Sequence, residues 1–384
     1  KNPSLEAQIA SIADDIAYNN HDIDDAIRAD LITIEEISEI NYFNEIIKQI
    51  KNRYSQNYLY FDEFMQECLY SDYGFFAKGE VRSSKSGDFL TSPEVSKYFG
   101  LFISNWIKEN RINSDSNILE VGAGTGSLAN QVSKYLEKEI YVSEISLNAL
   151  KALKSKNFLV DSNLDNYGSS QIKTIYMNEV LDNIPCSVGI EVDNTWYEKT
   201  IEFTKDNELR YGKVEMRESN LKWIKKYNFL DNQDNELEIQ YNTEQFLDEL
   251  IKKVDPNHLL IFDYGFEYEE RNLKPYKSLI RTYKEHHLSS DPIEMPTETD
   301  ITYDVNFSFL KQYFEENNFE YKIMKQYEFL DKYGYQEIYS SLKNQFVETY
   351  GVDQLKLKSD IVGLEAIHND RGLGGFYCIE AKKL

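Results

Sequence analysis

The residues best suited to chemistry in this 384-residue sequence form a glycine-rich stretch, Ile118–Leu128. Its first part predicts a short buried strand, and the alternate glycines Gly122, Gly124 and Gly126 predict a tight turn. An amphipathic run, Ser127–Leu136, then predicts a helix. Glycine adopts positive φ without steric cost and lets a ligand press against bare backbone. Because the following helix directs free N–H groups at the turn, the stretch predicts a nucleotide-type cofactor site.

The glycine spacing indicates which cofactor. A dinucleotide site favours Gly-x-Gly-x-x-Gly, whereas here the third glycine comes one residue early, in Glu-x-Gly-x-Gly-x-Gly from Glu120. This spacing resembles motif I of class I S-adenosylmethionine (SAM) methyltransferases. Glu144 ends the next predicted strand, about 20 residues on, and could accept hydrogen bonds from ribose hydroxyls of either NAD or SAM. The spacing favours SAM, although a turn that only links strand to helix stays open.

Composition narrows the classes of partner. The chain has 42 Lys and Arg against 66 Asp and Glu, a net charge of −24, which argues against nucleic acid and favours the approach of a cationic partner. No apolar run is long enough for a bilayer, and the first residues lack signal- or transit-peptide features. The three scattered cysteines suit a reducing compartment. We expect a cytoplasmic protein without a membrane partner.

Periodicity along the chain predicts an α/β fold in several parts. Alternating strands and helices indicate a parallel sheet with ligands at the carboxyl ends of its strands. We predict a helical N-terminal extension over residues 1–60 and a cofactor-binding core in two parts, 61–185 and 242–384. Between them, period-two alternation predicts an antiparallel β and helical insertion for substrate binding over 186–241. A long loop near 267–300 is typical of a lid.

Seven segments together resemble the MidA-type family of SAM-dependent methyltransferases, whose mitochondrial members are complex I assembly factors that dimethylate an arginine of a partner subunit. The resemblance spans roughly residues 40–384. Its segments are Gly87–Glu94, Glu120–Leu128, Glu144–Ser146, Asn178–Pro185, Trp196–Glu198, Phe262–Gly265 and Asp300–Thr302. The family's first loop usually reads Gly-Pro-Gly-Arg-Gly with an Asp in the helix, where this chain has Ala123, Thr125 and Gln131.

The resemblance implies a Rossmann-like fold with a mostly parallel seven-stranded sheet, SAM as cofactor and S-adenosylhomocysteine as product. It implies that the cofactor contacts Glu120, Gly122, Ala123, Gly124, Gly126, Leu128, Glu144, Ile145, Asp161 and Asn178, with Gly87, Asp88, Thr91 and Ser92 from the preceding loop. Asp161 could accept from the adenine amino group or be a solvated acid at a strand end. Ser92 is also predicted to cap the following helix, Val95–Ile107, with Pro93 at its first position.

Two acids after the fourth strand are the predicted catalytic pair. A guanidinium offers five donors, so Glu179 and Asp182 could hold it with paired hydrogen bonds and take up a proton after transfer. Asn178 could orient the same group. A capping role for both acids stays open. Asp263 and Tyr264 end the fifth strand and could complete the substrate pocket or only form a turn. No metal site is predicted, because His286, His287 and Asp291 lack suitable ligand spacing.

The leading hypothesis is therefore a SAM-dependent protein arginine N-methyltransferase that acts on a partner protein, with a respiratory complex I subunit as one candidate. The arginine assignment comes from the resemblance. Two alternatives stay open: a SAM-binding assembly factor without turnover, and an NAD-dependent oxidoreductase. The number of methyl groups and the oligomeric state also stay open, with a homodimer as one option.

Overall fold

A computed structural model describes residues 34–77, 91–110, 116–168, 171–205, 208–227, 236–273, 280–284, 287–288 and 291–384. The predicted helices before residue 34 and the predicted site residues Gly87 and Asp88 lie outside these ranges. Within them, no helix combines the length and apolar character that crossing a bilayer requires.

The chain divides into two compact units. One comprises residues 1–57 and 203–210, and the other comprises residues 58–202 and 211–384. In the first unit, the backbone N–H of Phe203 donates to the carbonyl of Asn57 at 3.0 Å. The second unit contains the candidate site. The division predicted from the sequence, with boundaries at residues 60, 185 and 241, stays a prediction.

Helices and strands alternate through the chain. The helices are α1 (Ile34–Arg53), α2 (Phe61–Tyr70), α3 (Ser92–Val95), α4 (Phe99–Glu109), α5 (Ser127–Leu136), α6 (Leu147–Ser155), α7 (Glu218–Lys226), α8 (Tyr241–Val254), α9 (Phe307–Glu316), α10 (Gln326–Lys332), α11 (Tyr335–Glu348) and α12 (Val352–His368). The strands are β1 (Tyr58–Tyr60), β2 (Asn117–Val121), β3 (Tyr141–Ser143), β4 (Leu159–Asp161), β5 (Ile172–Asn178), β6 (Ser187–Val192), β7 (Thr195–Phe203), β8 (Leu209–Glu215), β9 (Glu236–Ile239), β10 (His258–Asp263), β11 (Gly265–Phe266), β12 (Ile280–Lys284), β13 (His287–Leu288), β14 (Asp300–Tyr303), β15 (Val305–Asn306), β16 (Phe319–Lys325) and β17 (Tyr377–Lys383).

The largest sheet in the described part of the chain has seven strands in the order β16-β17-β10-β5-β2-β3-β4. The five strands from β10 to β4 run parallel, and β17 and β16 are antiparallel to their neighbours. The predicted mostly parallel seven-stranded sheet is therefore confirmed. Since the parallel strands end along one edge, the residues that follow β2, β3, β5 and β10 meet there.

Apolar side chains explain why α4 packs on this sheet. Phe99, Phe102 and Trp106 are each almost fully buried and belong to the same hydrophobic cluster as Phe262 of β10. The rings of Phe99 and Phe262 lie 5.1 Å apart in an edge-to-face arrangement. Burying large aromatic side chains is among the strongest contributions to a core. This packing fixes the helix that leads into the glycine strand.

The prediction of one continuous helix over Val95–Ile107 is wrong. The short helix α3 ends at Val95, and α4 begins at Phe99. Ser96 between them has extended backbone, with φ −134° and ψ 124°, and its hydroxyl oxygen accepts from the N–H of Tyr98 at 3.4 Å. A serine side chain that bonds nearby backbone competes with helical hydrogen bonding, which accounts for the break.

Two antiparallel sheets accompany the central one. The stretch predicted as an insertion, residues 186–241, contains β6 to β9, which join β1 in a sheet ordered β1-β7-β6-β9 with β8 on β7. The stretch near 267–300 is only partly loop, because β12 pairs with both β13 and β14. That correction concerns secondary structure, and movement as a lid stays a prediction. The pairing places Arg281 opposite Thr302.

Candidate active site

A cavity of about 360 Å³ opens at the carboxyl ends of the parallel strands. Twelve of the predicted site residues line it: Thr91, Glu120, Gly122, Ala123, Gly124, Leu128, Glu144, Ile145, Asn178, Glu179, Asp182 and Tyr264. Four predicted residues in the described ranges lie outside its lining: Ser92, Gly126, Asp161 and Asp263. The structure therefore brings the glycine turn and the predicted catalytic pair to one space.

The glycine turn is built as its sequence predicts. Gly122, Gly124 and Gly126 all have positive φ, at 72°, 50° and 76°. A Cβ on Gly122 would lie 2.6 Å from a methyl carbon of Val180, so no larger side chain fits there without displacement. A Cβ on Gly126 would lie 2.7 Å from Leu153 on α6, and Gly126 does not line the cavity, so its missing side chain serves packing alone.

Glu144 braces the turn from the end of β3. Its carboxylate accepts from the N–H of Gly124 at 2.8 Å, and from the N–H groups of Ile145 at 2.8 Å and Ser146 at 2.9 Å. Burial raises the pKa of Glu144, while the hydrogen bonds from Ser146, Gly124 and Ile145 act in the opposite direction. The same side chain lines the cavity, so Glu144 both holds the glycine turn and faces the cavity.

Two other acids of the cofactor side differ in burial. Glu120 is 4% exposed and accepts from the Tyr176 hydroxyl at 3.1 Å, and burial raises its pKa well above the ordinary value. Asp161, by contrast, accepts from the N–H of Asn163 at 2.9 Å and the amide of Asn166 at 2.7 Å. Hydrogen bonding from Asn163 and Asn166 lowers the pKa of Asp161. Its contact with adenine stays a prediction.

The predicted helix cap at Ser92 is wrong. Thr91 is the residue that precedes α3, so Ser92 is the first helical residue rather than the cap, and Pro93 is the second. The Ser92 hydroxyl donates to Gln326 at 3.1 Å and is fully buried. Only Thr91 reaches the cavity. The start of the helix shifts by one residue because the backbone of Thr91 is extended.

The predicted catalytic pair follows β5, and its first member, Glu179, has an unusual backbone conformation. Glu179 has φ +53°, a region that non-glycine residues seldom adopt. Its N–H donates to the carbonyl of Phe262 at 2.8 Å, and its carboxylate accepts from the amide of Asn178 at 2.9 Å. Burial raises the pKa of Glu179 to about 8, and the charge of Asp182 acts in the same direction. Glu179 therefore holds a proton in the ligand-free site near neutral pH.

Asp182 differs from its neighbour in its partners. It is 3% exposed, and one carboxylate oxygen, Oδ2, accepts from the Tyr264 hydroxyl. Burial raises the pKa of Asp182 to about 6, against the lowering effects of the Tyr264 hydrogen bond and the Arg281 charge. Asp182 is thus an anion at neutral pH while Glu179 is protonated, which is the separation of protonation states expected of a carboxylate pair with distinct roles.

Buried oxygen atoms at this end of the cavity lack partners. Within the described ranges, Oδ1 of Asp182 and Oδ1 of Asn178 accept no hydrogen bond. Both residues line the cavity. Leaving a buried acceptor unsatisfied costs about 1–3 kcal/mol, so these two atoms suit a ligand that brings hydrogen-bond donors.

Asp263 holds the loop between β5 and β6 through hydrogen bonds to its backbone. It is fully buried, and its carboxylate accepts from the N–H groups of Leu181 at 3.0 Å, Asp182 at 3.3 Å and Tyr264 at 2.9 Å. Burial raises its pKa well above the ordinary value, with the charges of Asp182 and Glu179 acting in the same direction. A direct contact of Asp263 with substrate stays a prediction, and its observed contacts hold the loop that carries Asp182.

The cavity is strongly acidic. Six of its lining side chains are carboxylic acids, and within the described ranges Arg281 is the sole basic one. The acids are Glu94, Glu120, Glu144, Glu179, Asp182 and Asp300. Such a concentration of negative potential favours a positively charged ligand.

Sequence reasoning did not single out Glu94, Thr125, Arg281, Tyr283 or Phe376, all of which line the cavity. Glu94 accepts from the Thr125 hydroxyl at 2.7 Å, which joins the loop before α3 to the glycine turn. The β-branched and aromatic residues Ile280, Thr282 and Tyr283 were the signal that could have revealed a strand there. Phe376 comes from a segment distant in sequence, so no local pattern points to it.

Comparison with known proteins assigns the family. A family model of S-adenosyl-L-methionine-dependent methyltransferases matches residues 100–324, more than half of the chain. The chain belongs to the MidA-type family of SAM-dependent methyltransferases. The cofactor of this family is SAM, which agrees with the glycine spacing and removes the NAD alternative.

One relative matches this chain over most of its length. The protein arginine methyltransferase NDUFAF7 homolog of Caenorhabditis elegans mitochondria is 24% identical over 312 residues, 71% of this chain and 72% of its own. A crystal structure of a Burkholderia thailandensis protein bound to S-adenosyl-homocysteine has a TM-score of 0.72 at 16% identity. It covers 92% of this chain and 94% of its own, and it shows the same fold.

A second group of relatives matches a short segment. The deoxyguanosinetriphosphate triphosphohydrolase-like protein of Thiobacillus denitrificans is 50% identical over 54 residues. The match covers 14% of this methyltransferase-family chain and 14% of that protein. The chain therefore spans about one seventh of the length of these relatives.

The residues of the cavity fit SAM. Gly122 leaves bare backbone in the wall of the cavity, and the side chain of Val180 excludes a Cβ at that position. Glu144 directly follows the second parallel strand of the cofactor-binding region and lines the cavity, so its predicted contact with the ribose fits, and the acidic walls suit the positive charge of a sulfonium. On this fit, the glycine turn and Glu144 would hold the cofactor, with Thr91, Leu128 and Ile145 completing its walls.

Proposed function

We propose that this chain transfers a methyl group from SAM to an arginine nitrogen of a partner protein. The observation that carries the proposal is the pair of unequal acids, Glu179 and Asp182, beside the glycine turn in one cavity. The name of the Caenorhabditis elegans relative supports arginine as the acceptor. Cofactor contacts of Gly87 and Asp88, and a complex I subunit as the acceptor protein, stay predictions.

Each acid has a distinct task in this proposal. Asp182, anionic at neutral pH and with Oδ1 unsatisfied among the described residues, accepts hydrogen bonds from the guanidinium. Asn178 orients the same group through its side-chain carbonyl oxygen, which accepts no hydrogen bond from the described residues. A guanidinium cation near Glu179 lowers the pKa of that carboxyl, because an opposite charge favours the ionised form. Glu179 then becomes a base placed to receive a proton.

In the proposed reaction, one bond forms, one bond breaks and one proton is released. SAM, when bound, supplies a methyl group on a positively charged sulfur, and S-adenosylhomocysteine is the product that remains. The acceptor nitrogen forms the new N–C bond as the S–C bond breaks, and the nitrogen releases one proton. Glu179 takes that proton, and Asp182 keeps the charged acceptor in place. Positioning of the acceptor supplies much of the rate enhancement in such a displacement.

Radiolabelled SAM tests this proposal. We expect incubation with arginine-containing peptides to label arginine, identified by acid hydrolysis and amino-acid analysis. Glu179→Gln should reduce the rate by about 10²–10⁴-fold, the usual contribution of a general base, while SAM affinity by calorimetry stays unchanged. Glu215→Gln, an exposed acid of the insertion, is the matched control. Label on lysine or histidine, or full activity in Glu179→Gln, would refute the arginine mechanism.

A SAM-binding assembly factor without turnover is the second candidate. Glu179 has a strained backbone, and the pKa of its carboxyl group is raised. Cofactor binding alone requires neither property. These features favour an enzyme. Binding of SAM without labelled product from any acceptor in a lysate would favour the assembly factor instead.

A further inference from the structure

Arg281 occupies the acceptor side of the acidic cavity. It belongs to β12, opposite Thr302 of β14, and its side chain is 14% exposed. Its Nη2 donates to Asp304, a carboxylate that is 1% exposed. Its guanidinium carbon lies 4.8 Å from the centre of the Tyr264 ring. A planar guanidinium near an aromatic ring makes a favourable cation–π contact, so Arg281 restrains Tyr264.

Tyr264 in turn contacts Asp182 of the predicted catalytic pair. Its hydroxyl donates to Oδ2 of Asp182, and its ring also contacts Phe376, with ring centres 5.4 Å apart. Oδ1 of the same carboxylate accepts no hydrogen bond from the described residues. Tyr264 therefore occupies one oxygen of Asp182 and leaves the other for the cavity. The order of contacts is Asp304, Arg281, Tyr264 and Asp182.

We propose that Arg281 is a positioning residue for methyl transfer: through Tyr264 it holds Asp182, and its charge keeps that carboxylate anionic to receive a cationic acceptor. The second part rests on the proposed function, since it assumes a cationic acceptor. Arg281 itself contacts neither cofactor nor acceptor in this scheme. An ion pair that only fastens β12 to Asp304 would account for the salt bridge but not for the contact with Tyr264.

Several charged and titratable groups face Asp182 from different elements. They are Tyr70 of α2, Glu179 of its own loop, Asp263 at the end of β10, Tyr264, Asp300 and Tyr303 of β14, and Arg281 of β12. Glu179, Asp263 and Asp300 are acids, so a second negative charge in this group is unfavourable. Within the described ranges, Arg281 is the cation among them. Without it, the pKa of Asp182 should rise by about 1–3 units.

The protonation of Asp182 tests the electrostatic part without any acceptor. Infrared difference spectra between the wild type and Asp182→Asn isolate the carboxyl signal of Asp182 across a pH series. We expect Arg281→Gln to move the titration upward by about 1–3 pH units, and Arg281→Lys, which keeps the charge, to move it less. Lys97→Gln removes a cation that pairs with Asp360 outside the cavity and is the control. An unmoved titration in Arg281→Gln would overturn the proposal.

Binding of N-methylguanidinium tests the functional consequence. Calorimetry would use protein saturated with S-adenosylhomocysteine, between about pH 5.5 and 9, a range that brackets both carboxyl groups. In Arg281→Gln we expect affinity near pH 7 to fall by about 2- to 90-fold, which is the loss of ionised Asp182 that a rise of about 1–3 pH units produces, and to recover toward the alkaline end. Tyr264→Phe should show the same pattern, since it removes the hydrogen bond to Asp182. An equal loss at every pH would mean a structural role and overturn the proposal.

The two experiments separate this inference from the proposed function. If wild-type protein does not bind N-methylguanidinium, the arginine acceptor is wrong. The infrared titration still decides whether Arg281 controls Asp182 in that case. If N-methylguanidinium binds and the titration of Asp182 does not depend on Arg281, the positioning role is wrong and the proposed function stands.

Discussion

Glu179 combines backbone strain with a raised pKa at one position. Its φ of +53° is uncommon for a residue with a side chain, and burial raises the pKa of its carboxyl to about 8. Such strain persists only where surrounding contacts impose it, and here the N–H bond to Phe262 and the amide of Asn178 do so. In this conformation the carboxyl group of Glu179 lines the cavity.

A pH dependence of stability follows from Glu179. Its pKa is near 8 in the folded chain and near 4.5 when unfolded, so between these values the folded state binds the extra proton. The free energy of unfolding therefore falls as pH rises from about 4.5 to 8. Glu179→Gln removes this loss, and we expect its thermal midpoint at pH 8 to exceed that of the wild type by about 2 °C or more.

The measurement is thermal unfolding of both proteins from pH 5 to pH 9. The difference between them should grow with pH and level off above about 8, while Glu215→Gln follows the wild type. A variant that is less stable than the wild type at pH 8 would contradict the raised pKa. Loss of activity together with a gain in stability is expected where a functional site holds an unfavourable charge.

Gly122 and Gly351 have the same φ but different surroundings, so substituting each of them distinguishes the effect of backbone strain from the effect of a steric clash. Gly122 and Gly351 both have φ +72°, but a Cβ on Gly122 would lie 2.6 Å from Val180 whereas one on Gly351 meets nothing within 4 Å. We expect Gly122→Ala to lose at least tenfold in SAM affinity and Gly351→Ala to keep it. Both variants should lose about 1 kcal/mol from the strained φ.

Calorimetry with SAM measures the affinities, and urea unfolding measures the stabilities. The double variant Gly122→Ala with Val180→Ala should recover part of the affinity, because it removes the methyl group that excludes the new Cβ. Equal affinities in Gly122→Ala and Gly351→Ala would show that the bare backbone at residue 122 has no role in cofactor binding.

At the scale of elements, the loop between β5 and β6 depends on an acid from a neighbouring strand. Asp263 ends β10 and accepts from the N–H groups of Leu181 and Asp182. Asp161 ends β4 at the same edge but is exposed to solvent around its carboxylate. The sequence shows both as an acid closing an apolar strand, so it does not distinguish a buried support from a surface cap.

Removing the two carboxylates should therefore have unequal costs. We expect Asp263→Ala to destabilise the chain by about 2–4 kcal/mol, since it leaves buried backbone donors unsatisfied, and Asp161→Ala by less than about 1 kcal/mol. Urea unfolding measures both. Asp263→Ala should also impair methyl transfer more than SAM affinity, because it releases the loop that carries Asp182. Similar destabilisation by the two substitutions would contradict the buried role of Asp263.

Local patterns predicted the elements near the cofactor well. The helix Ser127–Leu136 has its predicted bounds, since the preceding glycine turn and its amphipathic run are both local signals. The break at Ser96 and the strand Ile280–Lys284 were missed for a different reason. Ser96 interrupts an apolar periodicity that continues on both sides, and β12 is defined by its pairing with β14, 20 residues away in sequence.

Local sequence patterns likewise predicted only some of the residues of the candidate site. Gly122, Glu144 and Glu179 line the cavity as residue type and spacing predicted. Arg281 and Phe376 reach it from distant segments, and only the folded chain shows that Arg281 lies near the ring of Tyr264. Spacing along a sequence reports which residues share an element, whereas side chains from separate elements meet through tertiary packing.

At the scale of the whole molecule, the acidic cavity belongs to a chain whose net charge is −24. A cationic acceptor is attracted first by the overall charge and then by the cavity acids. The first attraction acts over long distances and is screened by salt, with a Debye length of about 10 Å at 0.1 M. The second acts between buried groups and is screened much less. Ionic strength can therefore separate approach from binding in the cavity.

We predict that the efficiency of methyl transfer falls with salt according to the charge of the acceptor. For a peptide with one target arginine flanked by lysines, kcat/KM should fall by on the order of tenfold between about 0.05 and 0.5 M NaCl. A peptide with the same arginine flanked by glycine and serine should fall much less, because only its target cation is attracted. Labelled-SAM kinetics at fixed pH would measure both. Equal salt dependence would mean that the acidic surface does not guide the acceptor, leaving Asp182 and Glu179 to select arginine by contact alone.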